Sequence, residues 1–184
     1  DVIRFCKKVI DEKFKDLSFM SFCRAKDATD EMFYWMKKAN FRRLNIGIES
    51  FSKKVLKEMG KRCTPEDNHR ALELAKKHNI PAFMNILLAT PESTLGDIQE
   101  TIDGVGSYEK DDFYQVGVSF AVKPLKGTVY HETYSDFMTR VVKIPDTDYH
   151  LKIDELIYAT DPQVRALQIR YWDGIDVFIE NERN

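Results

Sequence analysis

The chain has 184 residues, 43% of them apolar and 12% aromatic, enough for one globular domain with a substantial core. A formal net charge of −2 excludes the broad basic footprint of a nucleic-acid-binding domain, and the pairs Arg42-Arg43 and Lys53-Lys54 read as solvated faces. No run approaches the ~18 apolar residues of a membrane span and no cleavable signal pattern opens the chain, so the expectation is a soluble cytoplasmic protein with a small-molecule ligand and no membrane partner.

Val2, Phe5, Cys6, Val9 and Ile10 recur at helical spacing, so the chain opens in a helix, with no cap visible before it. "LSFMSF" (17–22) reads as a strand. "TDEMFYWMKKAN" (29–40) reads as a helix capped by Thr29, with acids in its first turn and Asn40 suited to a left-handed exit. "RLNIGI" (43–48) is a second strand, apolar on nearly both faces. Helical segments follow at 50–59 and 64–79, the latter with Thr64 as cap, Pro65 at its first position and then two acids. "AFMNILLA" (82–89) is the third strand, "TLGDIQETI" (94–102) a helix and "FYQVGVSFAV" (113–122) the fourth strand.

Strands alternating with helices of crossover length predict parallel βα units with right-handed connections. The four strands should therefore lie side by side in sequence order. The first should present an open edge, an invitation to homo-oligomerisation. After Tyr130 the pattern weakens: turn residues fill 144–153, and Asp161-Pro162 begins a last amphipathic helix through Val164, Leu167, Ile169 and Trp172. We expect a core over 1–132 and a mainly helical C-terminal extension over 133–184.

In parallel α/β folds chemistry gathers at the carboxyl ends of the strands. Glu49 and Ser50 stand at such an end, with Gly47 allowing close approach. The residues alone leave two roles open for this pair: ligand contacts, or a cap and dipole partner for the helix that follows. Cys6, Cys23 and Cys63, spaced 17 and 40 residues apart, read as reduced thiols, two of them in the core. His69, His78, His131 and His150 are too scattered for a zinc motif.

The order of these signals resembles the middle of radical S-adenosylmethionine (radical SAM) enzymes, in the branch with cobalamin-dependent and methylthiotransferase-like members. The likeness rests on a strand ending Gly47-Ile48-Glu49-Ser50 and on Leu56, Met59 and Lys61 in a Leu-x-x-Met-x-Lys/Arg run before the Thr64-capped helix. Asn79-Ile80 stands where the family has Gly-Ile. Upstream, "CRAKDATDEMFYWMKKANF" resembles the family's Arg-x-Asp strand end and helix. Downstream, "PLKGTVYHE" (124–132) resembles Pro-x-Pro-Gly-Thr-x-x-Tyr, with Lys126 replacing the second proline. The likeness covers roughly residues 1–132 and implies a partial (β/α)6, TIM-like barrel.

The resemblance also implies roles. Glu49 and Ser50 match the pair that contacts the ribose or methionyl part of S-adenosylmethionine. Lys61, with Arg62 second to it, matches a basic residue near the methionyl carboxylate or the preceding acidic side chain. "NILLATPE" (85–92) lies over the adenine-binding pattern Gly-x-Ile-x-Gly-x-x-Glu, with Leu87 as the apolar contact. Asn85 and Ala89 replace both glycines, and "TPEST" replaces Leu-Pro-Gly-Glu-Thr, which shifts Glu92 and Ser93 by one position. A zwitterionic sulfonium ligand needs a carboxylate for its cationic groups and a base for its carboxylate.

The family's Cys-x-x-x-Cys-x-x-Cys loop, which holds a [4Fe–4S] cluster through three thiolates, occurs nowhere in this sequence. We therefore read the chain as the latter two-thirds of a radical SAM domain, inert by itself, whose cluster ligands, and a cobalamin domain in the branch that carries one, lie outside it. The alternatives are a cluster-less relative that binds a ligand or partner, a lyase on a (β/α)8 barrel with Lys61 or Lys123 as Schiff-base amine, and an interaction fragment. The sequence predicts that the purified chain, reconstituted anaerobically with iron and sulfide, shows no stoichiometric [4Fe–4S] absorbance and releases no 5′-deoxyadenosine from S-adenosylmethionine under reduction. Release of that product would overturn the assignment.

Overall fold

A computed structural model describes residues 1–14, 16–108, 111–135, 142–143, 150–151 and 156–170. The chain divides into two compact units, residues 1–86 with 99–118 and residues 87–98 with 119–184. The elements run α1 (Val2–Asp11), β1 (Phe19–Arg24), a 3₁₀ turn (Ala25–Asp27), α2 (Asp30–Lys38), β2 (Phe41–Glu49), α3 (Lys53–Glu58), α4 (Pro65–Lys77), β3 (Ala82–Leu87), α5 (Leu95–Gly106), β4 (Tyr114–Ser119), α6 (Val129–Thr133), β5 (Val142–Lys143) and β6 (His150–Leu151), then α7 over 162–170. Among the described residues no helix is long and apolar enough to cross a membrane.

The helix starts follow from local chemistry. Thr29 accepts from the Met32 amide at 3.2 Å, and Asn40 leaves α2 at φ 65°. In α4, Thr64 and Asp67 form a reciprocal box: the Asp67 amide donates to Thr64 Oγ1 at 3.3 Å and the Thr64 amide to Asp67 Oδ2 at 3.0 Å, ahead of Pro65 at the first position. The first helix does have a cap, since Asp1 accepts from the Arg4 amide at 3.4 Å.

The four long strands form one sheet in the order β1-β2-β3-β4. β1 and β2 pair in parallel, as do β2 and β3. The Ala82 amide donates to Phe113 O and the Leu88 amide to Ser119 O, so β3 and β4 advance in the same direction. The first strand lies two residues later than the apolar run suggested, because Cys23 and Arg24 continue the ladder opposite Ile46 and Gly47. It is an edge of the described sheet.

One sheet face is dry. Leu44, Ile46, Ile48 and Met84 are fully buried, as are Phe33 of α2 and Leu72 of α4. Burial of side chains of this size stabilises by ~1.5–3 kcal/mol each. The other face is open at its edge, where Met20 is 61% and Phe22 77% exposed. Of the cysteines only Cys6 is buried, not two; Cys23, next to the last residue of β1, and Cys63, in the loop before α4, are half-exposed.

In the second unit Ala89, Ile98, Ala159 and Val164 form a small core joined by Leu88. Buried Gln168 accepts from the Ala159 amide at 2.8 Å and donates to Phe120 O at 2.7 Å. Asp161 caps α7 by accepting from the Gln163 and Val164 amides. Besides this helix the tail contains the short antiparallel pair β5–β6; Trp172 lies outside the described residues.

The segment 50–52 is not helical, because its polar groups are spent in a buried knot. Ser50 Oγ lies 2.7 Å from Thr101 Oγ1 and accepts from the Ser52 amide at 2.9 Å. The fully buried Asn68 carboxamide donates to Ile48 O at 3.1 Å and to Ser50 O at 2.9 Å. We predict that Asn68→Ala, which removes the donor to Ser50 O and one of two donors to Ile48 O, lowers stability by ~1–3 kcal/mol, and Ser50→Ala by ~1–2 kcal/mol, in urea titrations. An unchanged midpoint for Asn68→Ala would show that the knot does not hold the strand end.

Candidate functional site

The carboxyl end of β2 is shaped by a bulge. Gly47 pairs with Asn85 but Glu49 pairs with Ile86, leaving Ile48 as the extra residue. The Ser50 amide then donates to Ile48 O at 2.8 Å, closing a three-residue turn around Glu49 at φ 63°. A positive-φ turn of this kind on a non-glycine residue is rare and costs ~1–3 kcal/mol. Strain of that size persists only where the surroundings impose it, here through Asn68 and Thr101.

The turn folds the Glu49 carboxylate back over Gly47, where a Cβ would lie 2.9 Å from Glu49 Oε1. Gly47 is therefore needed for room above the strand, and its partner approaches from the loop after α3. That helix ends with the Gly60 amide on Lys57 O and the Lys61 amide on Leu56 O, Gly60 taking φ 64°. The paired bonds and left-handed glycine are a Schellman ending. They land Lys61 so that its Nζ donates to Glu49 Oε1 at 2.6 Å. The carbonyl of Lys61 also accepts from Arg24 Nη2 at 3.5 Å, tying the loop to the end of β1.

Around this ion pair lies a cavity of about 250 Å³. The carboxyl ends of β1 and β3 complete its lining with Phe22, Cys23, Arg24 and Asn85. The Lys61 and Glu49 side chains keep 31% and 20% of their surface exposed. A pair this wet contributes at most ~1 kcal/mol, so a charged ligand can exchange for either partner at little expense. Two cations and one carboxylate at one mouth suit a ligand that carries both signs.

Of the residues singled out in the sequence, Glu49 and Lys61 come together, and Lys61 takes the place beside the acidic side chain. Ser50 is 1% exposed and its hydroxyl is committed to the knot behind the strand. Arg62 is exposed at φ 51° and does not line the cavity. Leu87, Ala89 and Glu92 belong to the second unit. There Leu87 is half-buried, Ala89 lies in the small core and Glu92 accepts from the Tyr134 hydroxyl. Sequence reasoning passed over Arg24 and Asn85 as site residues; the rule that ligands sit at the carboxyl ends of parallel strands, applied to β1 and β3 as well as β2, would have found both. A larger surface cavity of about 390 Å³, lined by Lys76, Tyr108, Asp111 and Tyr114, shares no residue with this one.

The residues of this chain do not fit an iron–sulfur cluster. Among the described residues no three His, Cys, Asp or Glu side chains converge as a metal site. Burial raises the Cys6 thiol; burial and then the Asp27 charge push Cys23 up to about 11; burial and then Asp67 raise Cys63. The three thiols belong to α1, β1 and the loop before α4 and form no converging triad.

Comparison with known proteins agrees with this architecture. The chain is 28% identical over 87 residues to an uncharacterised methyltransferase of Pyrococcus horikoshii, covering 47% of this chain and 19% of that protein. It is 30% identical over 108 residues to the tRNA-2-methylthio-N(6)-dimethylallyladenosine synthase of Caldicellulosiruptor saccharolyticus, covering 56% of this chain and 22% of that one. It thus spans about a fifth of the length of these relatives. In fold it is similar to the cobalamin-dependent S-adenosylmethionine radical enzyme OxsB, with TM-score 0.69 at 18% identity over 95% of this chain and 31% of that one. The radical S-adenosylmethionine methyltransferase TsrM of Kitasatospora setae gives TM-score 0.60 at 15% identity, over 83% of this chain and 31% of that one. Residues 1–105 match the family model of the radical SAM superfamily, and with the parallel strand order and the acid–base pair ending β2, this chain belongs to that superfamily.

Proposed function

We propose that this chain supplies part of the S-adenosylmethionine-binding site of a radical SAM enzyme, with Glu49 and Lys61 holding the methionyl end of the ligand. The observation that carries the proposal is the Glu49–Lys61 pair set over Gly47 in an open cavity at the carboxyl end of β2. Glu49 faces the ammonium and sulfonium of the ligand, Lys61 its carboxylate, each replacing its present partner by a ligand group of the same sign. The left-handed turn keeps the carboxylate aimed before the ligand arrives, so little ordering remains to be done on binding. Arg24 steadies the loop of Lys61 and adds a second cation at the mouth.

In the intact parent protein, S-adenosylmethionine would accept one electron from a [4Fe–4S] cluster and give methionine and a 5′-deoxyadenosyl radical. That step is assigned to the parent and not to this chain, whose thiols do not form a cluster site. By itself the chain binds without cleaving. Cobalamin enters only through the fold likeness to OxsB and TsrM, and no residue of this chain is assigned to it. The Schiff-base alternative draws no support from Lys61, whose ammonium lies against a carboxylate rather than in the apolar pocket such a lysine needs.

The test is a binding titration with S-adenosylmethionine beside a melting curve. Glu49→Ala is expected to weaken binding by ~1.5–3 kcal/mol, as for a hydrogen bond to a charged group, with thermal stability nearly unchanged. Ser50→Ala is expected to lower the melting temperature and leave affinity alone. The reverse pattern, with Glu49→Ala neutral for binding, would remove the assignment.

A further inference from the structure

A second constellation lies on the open face of the sheet, toward the amino end of β2 from the Glu49–Lys61 pair. The register sets Met20 opposite Arg43, Phe22 opposite Asn45, and Asn45 opposite Phe83. Arg43 Nε donates to Asn45 Oδ1 at 3.2 Å, and its guanidinium carbon lies 4.7 Å from the centre of the Phe83 ring. Phe83 in turn rests on Gly117, where a Cβ would come within 2.4 Å of Phe83 Cζ. Glycine on β4, ring on β3 and guanidinium on β2 thus stack across three strands. Asn45, only 8% exposed, fixes the guanidinium from the same strand.

This geometry corrects the sequence reading of Arg42-Arg43 as a solvated pair: Arg42 is exposed, but Arg43 is half-buried and held at two points. The remaining guanidinium N–H groups of Arg43 meet no carboxylate and no other acceptor among the described residues. Arg24 and Arg70, by contrast, pair with Asp27 and Asp67. A stacked guanidinium with unspent donors in its plane is preorganised for the forked acceptor of a carboxylate or phosphate. Beside it on β1, Phe22 and Met20 offer an exposed apolar wall.

We propose that Arg43 is a binding position for an oxyanion, carboxylate or phosphate, carried on a flat apolar body that lies against Phe22 and Met20. Its apolar wall includes Phe22, which also lines the Glu49–Lys61 cavity, whereas Arg43 does not line that cavity, so the assignment is read through Arg43. Arg43 precedes Gly47, over which the Glu49 carboxylate folds, by four residues on β2, roughly 13 Å along the strand, so the two anchoring side chains are distinct.

Phenyl phosphate and benzoate are the probes, titrated by calorimetry into the whole chain while the Arg43 Nε resonance is followed by NMR. At least one probe is expected to bind saturably at one site and to shift that resonance, the tighter one naming the anion. Arg43→Lys, which keeps the charge and most of the stem but loses the fork, should weaken binding by about tenfold or more in a chain that still melts cooperatively. Arg43→Met should abolish it, and Glu49→Ala should leave it as it was. No saturable binding of either probe, binding unaltered in Arg43→Lys, or binding lost in Glu49→Ala would overturn the proposal. S-adenosylmethionine titrated in parallel keeps the two assignments apart, since its failure to bind has no bearing on the Arg43-dependent signal.

Discussion

The buried carboxamide of Asn68 is the contact on which the end of β2 depends. Its two donors reach the carbonyls on either side of Glu49 where the ladder to β3 breaks step, as the partner of Ser50 O and a second donor to Ile48 O, which also accepts from the Ser50 amide. With those groups satisfied from α4, the chain can make a tight turn that leaves Glu49 in a left-handed conformation. The helix that supplies Asn68 is itself set by the Thr64–Asp67 box and Pro65. A capping motif at one end of a helix thereby governs the aim of a carboxylate at the end of a neighbouring strand.

The same arrangement explains why two adjacent residues, Glu49 and Ser50, have unlike fates. The bulge turns Glu49 toward the cavity and carries Ser50 into the interior, where hydroxyl and amide groups close on one another. One residue is spent on holding the strand end, and the next one before it is left half-exposed with a single lysine for company. Weak pairing at the mouth and strong pairing behind it is what a binding site requires: the frame survives the exchange of partners that binding demands.

The sheet separates its two tasks by face. Aliphatic side chains on one side bury against the helices and supply stability. The other side carries Arg43, Asn45, Phe83 and Asn85 in β2 and β3 beside Phe22 and Met20 in β1, polar and aromatic groups that a dry core would exclude unless paired. Membership in the radical SAM superfamily accords with a sheet built this way. Because the chain spans about a fifth of its curated relatives, the reaction of the whole protein is a property of more than these residues.

Periodicity and caps by themselves determined the strand–helix alternation, the parallel order and the starts of α2 and α4, since those depend on interactions within a few residues. The Gly47–Glu49 stretch was legible as a strand end worth attention, but the division of labour between Glu49 and Ser50 was not, because a one-residue bulge inverts which side chain faces the core and the bulge is decided by Asn68 and Thr101, 18 and 51 residues away from Ser50. The partial burial of Cys23 and Cys63 escaped the composition for the same reason. Arg43 looked solvated beside Arg42, and only the register of three strands, with the absent Cβ of Gly117 beneath Phe83, made it a stacked and half-buried cation. Local hydrogen bonding is written in neighbouring residues, whereas facing, burial and the company of a charge are set by segments that meet only when the sheet has formed.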